Sequence, residues 1–326
     1  IGIVSAYNDM LSAHKPLENF PKIIKAAANQ FGATAQMAGG VPAMCDGITQ
    51  GEPGMELSLF SRDTIALSTA IGLSHNVFDS AICMGTCDKI VPGLLIGALQ
   101  FGHLPIIFIP GGPMSTGISN AKKSETRKSY AAGEINKIEL LSVEQQAYHS
   151  QGTCTFYGTA NTNQLIAEAM GFQLPGAAFT PSDSPTRELL NLESLKSLMK
   201  LMDSEIGIGE MLCIENWMNA MIVLLASGGS TNLVIHLIAM ARAAGYQINP
   251  QDFNDLSSII PLLCQIYPNG TADVNEFHTE GGISRLLMNL LEADLIYNDI
   301  ETVAGFGLEL YTKTPHIDST NPKNLH

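Results

Sequence analysis

The chain has 326 residues, of which 45% are hydrophobic and 15% are charged, and its formal net charge is −14. This composition supplies a large buried core and excludes an intrinsically disordered chain. An acidic surface repels phosphates, which argues against nucleic acid and anionic membranes as partners. No apolar run reaches the roughly 18 residues that a membrane-spanning helix needs. A small anionic substrate is still compatible, because a local pocket can oppose the overall field.

The cysteines are widely scattered, without the spacing of a disulfide framework: Cys45, Cys83, Cys87, Cys154, Cys213 and Cys264. We therefore expect reduced thiols and a cytoplasmic location. The sequence begins at Ile1 inside a strand-like segment, and its last residues, 315–326, are polar and patternless. We expect it to be a piece of a longer protein.

Short apolar runs alternate with helix-length segments at the start of the chain. Strands are predicted at "IGIVSA" (1–6), "SAICMG" (80–85) and "PIIFIPGG" (105–112), and "TAQMAGG" (34–40) separates the first two helices. Helices are predicted over 16–32, 61–76 and 92–102, the last begun by a proline and ended by a glycine. This alternation predicts an α/β fold, a parallel sheet covered on both faces in a three-layer α/β/α arrangement.

The later part of the chain is predicted to be mainly helical. Residues 120–150 are charged and predict a helical excursion on the surface. From about residue 160, helices are predicted in four segments, 163–172, 215–229, 231–245 and 281–296. Residues 173–190, rich in Pro, Ser and Gly, are the predicted long loop. We expect one N-terminal domain over 1–320 with a largely helical second half.

The segment "GTCDK" (85–89) follows a predicted strand, where ligands bind in parallel sheets. Asp88 offers a hard oxygen ligand for a divalent cation. Lys89, if desolvated, loses its proton more easily and becomes nucleophilic, even toward carbon dioxide. Cys87 alone favours a structural role, and for the three residues together the structural and functional interpretations are evenly balanced.

Two other loops carry a cysteine among glycines. Cys154 lies in "QGTCTFYGTANTNQ", which indicates either helix capping with an incidental cysteine or a thiolate ligand near a helix N-terminus. Cys45 and Asp46 lie in "GGVPAMCDGITQG", which is typical of a turn but also offers a second carboxylate for a cation near Asp88. Spacing alone is weak evidence for a metal site here.

Two glycine-hydroxyl segments, "GGPMSTG" (111–117) and "GGSTN" (228–232), can bind an anion through backbone N–H groups, but tight turns are the more frequent explanation. Neither matches a phosphate loop, and the missing GxGxxG argues against a Rossmann dehydrogenase. His14 follows the first strand. His75, His103 and His236 are predicted to be hydrogen-bonded core residues.

Together these segments resemble the family of dihydroxy-acid and 6-phosphogluconate dehydratases. The resemblance covers nearly all of 1–311 and is especially similar to the 6-phosphogluconate branch. The matching segments are "SAYNDMLSAHKP", "GGVPAMCDGITQGEPGMELSLFSRD", "MGTCDKIVPG", "GTCTFYGTANTN", "LLASGGSTN" and "ETVAGFGL".

The resemblance implies roles for five residues. Cys87 and Cys154 match the family's iron–sulfur ligands. Asp46, Asp88 and Lys89 match positions that bind a divalent cation, Mg²⁺ or Mn²⁺, and in the dihydroxy-acid branch the lysine acts as a carbamate.

The sequence departs from the family in two places. Members with a [2Fe–2S] cluster carry a third cysteine where this chain has Ala13, so the resemblance implies a [4Fe–4S] cluster whose third ligand is open between Cys45 and His14. The family's catalytic serine lies in a C-terminal β-rich domain, in a "GRxSG"-like motif that is missing here. We expect the active site in these residues to be incomplete.

The implied activity is that of a hydro-lyase of the Entner–Doudoroff pathway. It converts 6-phospho-D-gluconate, a phosphorylated sugar acid, into 2-dehydro-3-deoxy-6-phosphogluconate and water. The implied assembly is a cytoplasmic homodimer. The alternatives are dihydroxy-acid dehydratase of branched-chain amino-acid synthesis, another sugar-acid dehydratase or, in a different class, an iron–sulfur redox-sensing module.

Overall fold

The computed structural model of the protein describes residues 1–313, so the polar end at 315–326 lies outside the described residues. Four short parallel strands form its central sheet in the order β2-β1-β3-β4. The strands are β1 (Gly2–Ser5), β2 (Gln36–Gly40), β3 (Ala81–Met84) and β4 (Ile106–Ile109). Every residue of β1, β3 and β4 is buried, as expected for apolar strands covered on both faces. The edge strand β2 is partly exposed.

Helices connect and cover these strands. They are α1 (Phe20–Gln30), α2 (Asp46–Thr49), α3 (Ser58–Leu73), α4 (Ile90–Ala98), α5 (Asn120–Ala131), α6 (Lys137–Ala147), α7 (Thr159–Ala169), α8 (Pro185–Asp203), α9 (Ile208–Met211), α10 (Ile214–Ser227), α11 (Asn232–Ala243), α12 (Pro250–Ser257), α13 (Val274–Thr279) and α14 (Gly282–Glu292). Two-residue strands β5 (Glu301–Thr302) and β6 (Gly305–Phe306) follow. The α/β fold and the helical second half are confirmed.

The strand order explains the layers. Right-handed crossovers place α1 on one face of the sheet and α3 and α4 on the other. Helix α8 packs against α1 and β4, whereas α4 packs against α3 and α11. The three-layer arrangement predicted from the alternation of strands and helices is therefore the one observed. The direction of winding reverses between β1 and β3, which opens a crevice beyond their carboxyl ends.

Several helix boundaries differ from the prediction: α1 begins at Phe20, α3 at Ser58 and α7 at Thr159. Helix α4 begins at Ile90, not at Pro92, because a proline in the first turn removes no helical hydrogen bond. Helix α8 begins at Pro185 inside the predicted loop, because Ser184 caps it by accepting a hydrogen bond from the Arg187 N–H.

The rest of the predicted loop is buried rather than superficial. The Glu168 carboxylate accepts hydrogen bonds from the backbone N–H groups of Gly176 (2.7 Å) and Ala178 (2.8 Å), which satisfies backbone groups that water does not reach. Within residues 1–313, no helix is long and apolar enough to cross a membrane.

Candidate functional site

Four loops meet beyond the carboxyl edge of the sheet. The loop after β1 is joined to the loop after β3 by the Thr86 hydroxyl, which donates to the Ala13 carbonyl at 3.1 Å. It is joined to the loop before α7 by the Gly152 N–H, which donates to the Ser12 carbonyl at 2.8 Å. The loop after β2 contributes Asp46, whose carboxylate forms an ion pair with the Lys89 ammonium of the loop after β3. The crevice at the winding reversal is thus where the loops of interest converge.

Two of these loops carry the same Cys-Asp dipeptide, and their aspartates meet at one lysine. The thiols of Cys45 and Cys87 perturb each other's pKa. The Lys89 ammonium forms ion pairs with the carboxylates of Asp46 and Asp88, the latter at 3.4 Å. The two carboxylates therefore meet around one lysine, which brings the two Cys-Asp dipeptides to the same part of the crevice.

The thiols of Cys45 and Cys87 differ in pKa. The hydrogen bond from Cys87 is the main cause that lowers the pKa of Cys45 to about 6, although burial opposes it. The same hydrogen bond, with burial, raises the pKa of Cys87 well above its usual value. One thiol thus ionises readily while its neighbour keeps the proton that stabilises it.

The two carboxylates also differ. Burial raises the pKa of Asp88 to about 6, and the attraction of Lys89 only partly offsets it. Burial acts in the same direction on Asp46, but the hydrogen bonds from Lys89 and from the Ser58 hydroxyl (2.6 Å) outweigh it and lower its pKa. Asp46 is consequently the firmer anion of the pair.

Cys87 has a strained backbone. Its φ is +74°, in the left-handed region that residues with a Cβ avoid at a cost of about 1–2 kcal/mol. Side chains of α7 hold the turn in place: Asn163 donates to the Asp88 carbonyl at 2.8 Å, and Gln164 donates to the Gly85 carbonyl at 3.3 Å. A strained residue held by buried amides is typical of a functional turn.

Cys154 is positioned by Asn161, whose amide donates to the carbonyls of Cys154 and Phe156, each at 2.7 Å. The capping interpretation of this segment is wrong, because the N-cap of α7 is Gly158 and no side chain caps it. Burial raises the pKa of the Cys154 thiol to about 11, and the nearby charge of Cys45 adds to the increase. The Cys154 thiol therefore senses the charge of the Cys45 thiol.

Two of the three histidines predicted to be core residues are not buried, whereas His236 is buried as predicted. His75 and His103 are exposed, because each follows the end of a helix. His14 and His236 are both fully buried, and burial lowers the pKa of each to about 4. Neither ring nitrogen of His14 has a hydrogen-bond partner, although the Ala6 carbonyl lies near the ring.

His236 belongs to the site rather than to a satisfied core. Its Nδ1 lies 3.4 Å from an Arg62 guanidinium nitrogen, whereas its Nε2 has no partner. The charges of Lys89 and Asp46 are close enough to perturb its pKa. Arg62, His236 and Lys89 thus place basic groups on the side of the carboxylates.

The two glycine-hydroxyl segments form tight structural turns. Gly112 has φ +83°, and a Cβ there would lie 2.4 Å from the Thr180 carbonyl oxygen. In the second segment Gly228 ends α10 in a left-handed conformation, and the Ser230 hydroxyl lies 2.8 Å from that of Thr159. The hydroxyls are engaged within the protein, which favours the structural interpretation.

The thiols and carboxylates of this site suit two different inorganic groups, an iron–sulfur cluster and a divalent cation. In residues 1–313, no three His, Cys, Asp or Glu side chains converge on a point that a single metal ion would fill. A cluster makes no such demand, because its cysteine ligands bind different irons, and soft thiolates are the ligands that iron–sulfur clusters take. The carboxylates of Asp46 and Asp88 fit Mg²⁺, which needs only one or two carboxylates and keeps waters. The residues present therefore fit both groups.

Several residues of this site were missed at the level of sequence. Arg62 lies near the end of the family-like segment 39–63 and His236 was predicted to be a core residue, and their contact with each other comes from packing between distant helices. Asn161 and Asn163 gave a weak signal, since buried amides within a polar helical turn are unusual. The repeated Cys-Asp dipeptide was the one signal that linked Cys45 to Cys87.

The whole arrangement belongs to a described family. Residues 1–310 match the family "Dihydroxy-acid/6-phosphogluconate dehydratase N-terminal", and the chain belongs to that family. It is 54% identical over 321 residues to Phosphogluconate dehydratase of Pseudomonas aeruginosa, covering 98% of this chain and 53% of the relative. The corresponding enzyme of Escherichia coli K12 is 52% identical over 322 residues, with 98% and 53% covered. Dihydroxy-acid dehydratase of Caldanaerobacter subterraneus is 34% identical over 317 residues, with 94% and 56% covered. The chain thus spans about half the length of these relatives.

Proposed function

We propose that this chain is the part of a 6-phosphogluconate dehydratase that binds a [4Fe–4S] cluster and a divalent cation. The observation that carries the proposal is the pairing of the two Cys-Asp loops, which brings thiols and carboxylates together beyond the sheet. Cys87 and Cys154 would hold the cluster, and Asp46 and Asp88 would hold Mg²⁺ or Mn²⁺ together with Lys89. The proposed substrate is a phosphorylated 2,3-dihydroxy acid, and the proposed assembly is a homodimer.

The choice of substrate depends on similarity. The relatives named Phosphogluconate dehydratase are 51–54% identical to this chain, whereas the one named Dihydroxy-acid dehydratase is 34% identical. The first group therefore supports a phosphorylated sugar acid as substrate. The product would be 2-dehydro-3-deoxy-6-phosphogluconate, the intermediate of the Entner–Doudoroff pathway.

The reaction removes the C2 proton and the C3 hydroxyl of the acid, and the enol that results tautomerises to the 2-keto acid. When bound, the cluster would supply a Lewis acid for the departing hydroxyl and the cation would neutralise charge at the substrate carboxylate. The protein's own contribution is position. The turn at Cys87, which the hydrogen bond from Asn163 holds in place, presents the Cys87 sulfur and the Asp88 carboxylate on neighbouring residues. One substrate can therefore reach both sets of ligands.

Charge near the carboxylates suits an anionic substrate. Lys89 pairs with Asp46, and Arg62 lies beside the neutral His236, whose pKa the charges of Lys89 and Asp46 also perturb. Partial burial strengthens the attraction of the two cations for an incoming carboxylate. Lys89 also lies where a carbamate would join the two aspartates as a further oxygen ligand. We assign no proton-abstracting base to residues 1–313 and propose that a serine in the C-terminal part of the full-length protein performs this role.

The test uses full-length protein prepared and assayed without oxygen. We expect 2-keto acid formation from 6-phosphogluconate in preference to 2,3-dihydroxyisovalerate, together with iron and acid-labile sulfide in the active preparation. Cys87→Ala should abolish both the activity and the iron, while Cys213→Ala, a change of a cysteine far from the site, should preserve them. Preference for dihydroxyisovalerate would contradict the proposed substrate. A folded, iron-loaded protein without activity on either acid would favour a redox-sensing module instead.

A further inference from the structure

Positive charge is concentrated on helix α5 of this acidic chain. Four of the 17 lysines and arginines lie on this one helix, although the formal net charge of the chain is −14. Two of the four have carboxylate partners, Lys122 with Glu125 at 3.1 Å and Arg127 with Glu144 at 3.9 Å. Lys123 is half-buried, yet it forms no ion pair within the described residues. Burying a charge without a partner costs free energy, which a bound anion would offset.

The side chain of Lys123 extends toward the end of α6 and the loop after β4. Its ammonium lies over the ring of Tyr148, 6.0 Å from the ring centroid. The next residue is His149, whose Nε2 lies 3.2 Å from the Ser115 hydroxyl. A Cβ added to Gly117 would lie 3.1 Å from His149 Nδ1, so the loop packs closely against this ring. Two basic side chains thus lie at the same short loop.

The carboxylate that acts on Lys123 is engaged elsewhere. Partial burial lowers the pKa of Lys123, and the charge of Asp273 only partly offsets this effect. Asp273 is the N-cap of α13, where it accepts hydrogen bonds from the N–H groups of Asn275 and Glu276, each at 3.0 Å. It also accepts from the Thr116 hydroxyl at 2.7 Å. The Lys123 ammonium is therefore left to bind an anion from outside the chain.

The loop after β4 runs alongside the cysteine loop. Pro113 and Thr153 form a parallel bridge, and the Met114 N–H donates to the Thr153 carbonyl at 2.9 Å, one residue before Cys154. Strand β4 is also the neighbour of β3, and adjacent strands lie about 4.8 Å apart. The loop with Ser115 is consequently the next one along the crevice from the loop that carries Asp88.

We propose that Lys123 and His149 bind the phosphate group of the substrate, with Ser115 orienting the imidazole. This inference depends on the proposed function, because it presupposes a phosphorylated acid lying along the crevice. The carboxylate end of that acid would lie near Asp88, and its other end would reach the loop after β4. A phosphate monoester carries about 1.5 to 2 negative charges, and an acidic chain needs local cations to hold it.

The proposed subsite uses side chains rather than the backbone N–H groups that the glycine-hydroxyl sequence suggested. The Thr116 hydroxyl is bonded to Asp273 and the Ser115 hydroxyl to His149. These hydroxyls therefore position the subsite, while the ammonium and the imidazole are the groups that meet the phosphate.

The experiment uses full-length protein prepared and assayed without oxygen. It compares kcat/KM for 6-phosphogluconate with kcat/KM for gluconate, the same acid without the phosphate. The variants are Lys123→Ala, Lys123→Arg, His149→Ala and the matched control Lys128→Ala. The control removes the same charge from the same helix, at a residue that is exposed. Circular dichroism of each variant shows that it is folded.

We expect Lys123→Ala to lower the preference for 6-phosphogluconate over gluconate by about 10- to 100-fold, mainly through KM. His149→Ala should act in the same direction, Lys123→Arg should retain most of the preference, and Lys128→Ala should leave it unchanged. Inorganic phosphate should inhibit the unmutated enzyme competitively with 6-phosphogluconate, and more weakly in Lys123→Ala. The inhibition needs no turnover of gluconate, so it decides the matter even where that acid reacts too slowly to measure.

Three results would overturn the inference, and they differ from failure of the proposed function. An unchanged preference in both Lys123→Ala and His149→Ala would show that these side chains do not meet the phosphate. An equal loss in Lys128→Ala would show a general surface attraction instead of a subsite. Inhibition by phosphate that is not competitive would show a separate site for a phosphorylated effector. If the unmutated protein does not dehydrate 6-phosphogluconate at all, the proposed function itself is wrong.

Discussion

Replacing Gly112 with alanine tests whether the position of the loop before α7 depends on the close approach of the Gly112 backbone to its neighbours. Gly112 has φ +83°, and an added Cβ would lie 2.4 Å from the Thr180 oxygen and 2.7 Å from an Arg187 nitrogen. Its carbonyl accepts from the Thr153 N–H at 3.0 Å, immediately before Cys154. A side chain here must therefore displace either the buried arginine or the cysteine loop.

The expected magnitude has two parts. A left-handed backbone costs a residue with a Cβ about 1–2 kcal/mol, and overpacking a dense interior adds about 1–3 kcal/mol. Gly133 provides the control, because its φ is +76° and nothing lies within 4 Å of the added Cβ. We expect Gly112→Ala to lower the free energy of unfolding by about 2–5 kcal/mol and Gly133→Ala by about 1–2 kcal/mol.

Urea unfolding of the full-length protein, followed by circular dichroism, measures the difference between the two variants. Iron content after anaerobic reconstitution gives the functional consequence, which we expect to fall in Gly112→Ala only. Equal destabilisation by the two substitutions would show that the backbone conformation, and not the contact with Thr180 and Arg187, explains the glycine. Full iron loading of Gly112→Ala would refute the link to Cys154.

Three further predictions concern the support of the site. Asn161→Ala leaves the carbonyls of Cys154 and Phe156 without a donor; urea unfolding should show a loss of about 2–3 kcal/mol, and the exposed Asn254→Ala should show almost none. Burial raises the pKa of Glu168 from 4.5 to about 7, so the folded state binds the extra proton and the free energy of unfolding should fall by about 3 kcal/mol as the pH rises through that window. Glu168→Gln should remove this slope, and an unchanged slope would exclude Glu168 as its source. Asp46→Asn should weaken activation by Mg²⁺ without loss of iron; loss of iron on this change would contradict separate sites for the two groups.

The fold was predictable where the apolar pattern is continuous. The strands β1, β3 and β4 are short β-branched runs closed by glycine or proline, and each is fully buried, so pattern and packing agree. The start of α8 was missed, because Pro185 and Ser184 look like loop residues in sequence but act as the first residue and the cap of a helix.

The site was predictable only in part. The residues Asp46, Asp88 and Lys89 were singled out because charged side chains follow strands and match a family pattern, and the structure brings them together. Cys45 and His14 stayed equivalent in sequence, since each follows a strand by a few residues.

The features that could be predicted from the sequence depend on local chemistry, and those that could not depend on long-range packing. The amino-acid sequence by itself determined the alternation of strands and helices, the family and the residue types that suit soft and hard metals, because these depend on neighbouring residues and on composition. The tertiary structure alone decided that the two Cys-Asp loops meet at Lys89, that Asn163 holds the turn at Asp88, and that His236 lies beside Arg62. Those contacts join residues far apart in the chain, and their partners are fixed by the order of the strands and the packing of the helices, which no local pattern specifies.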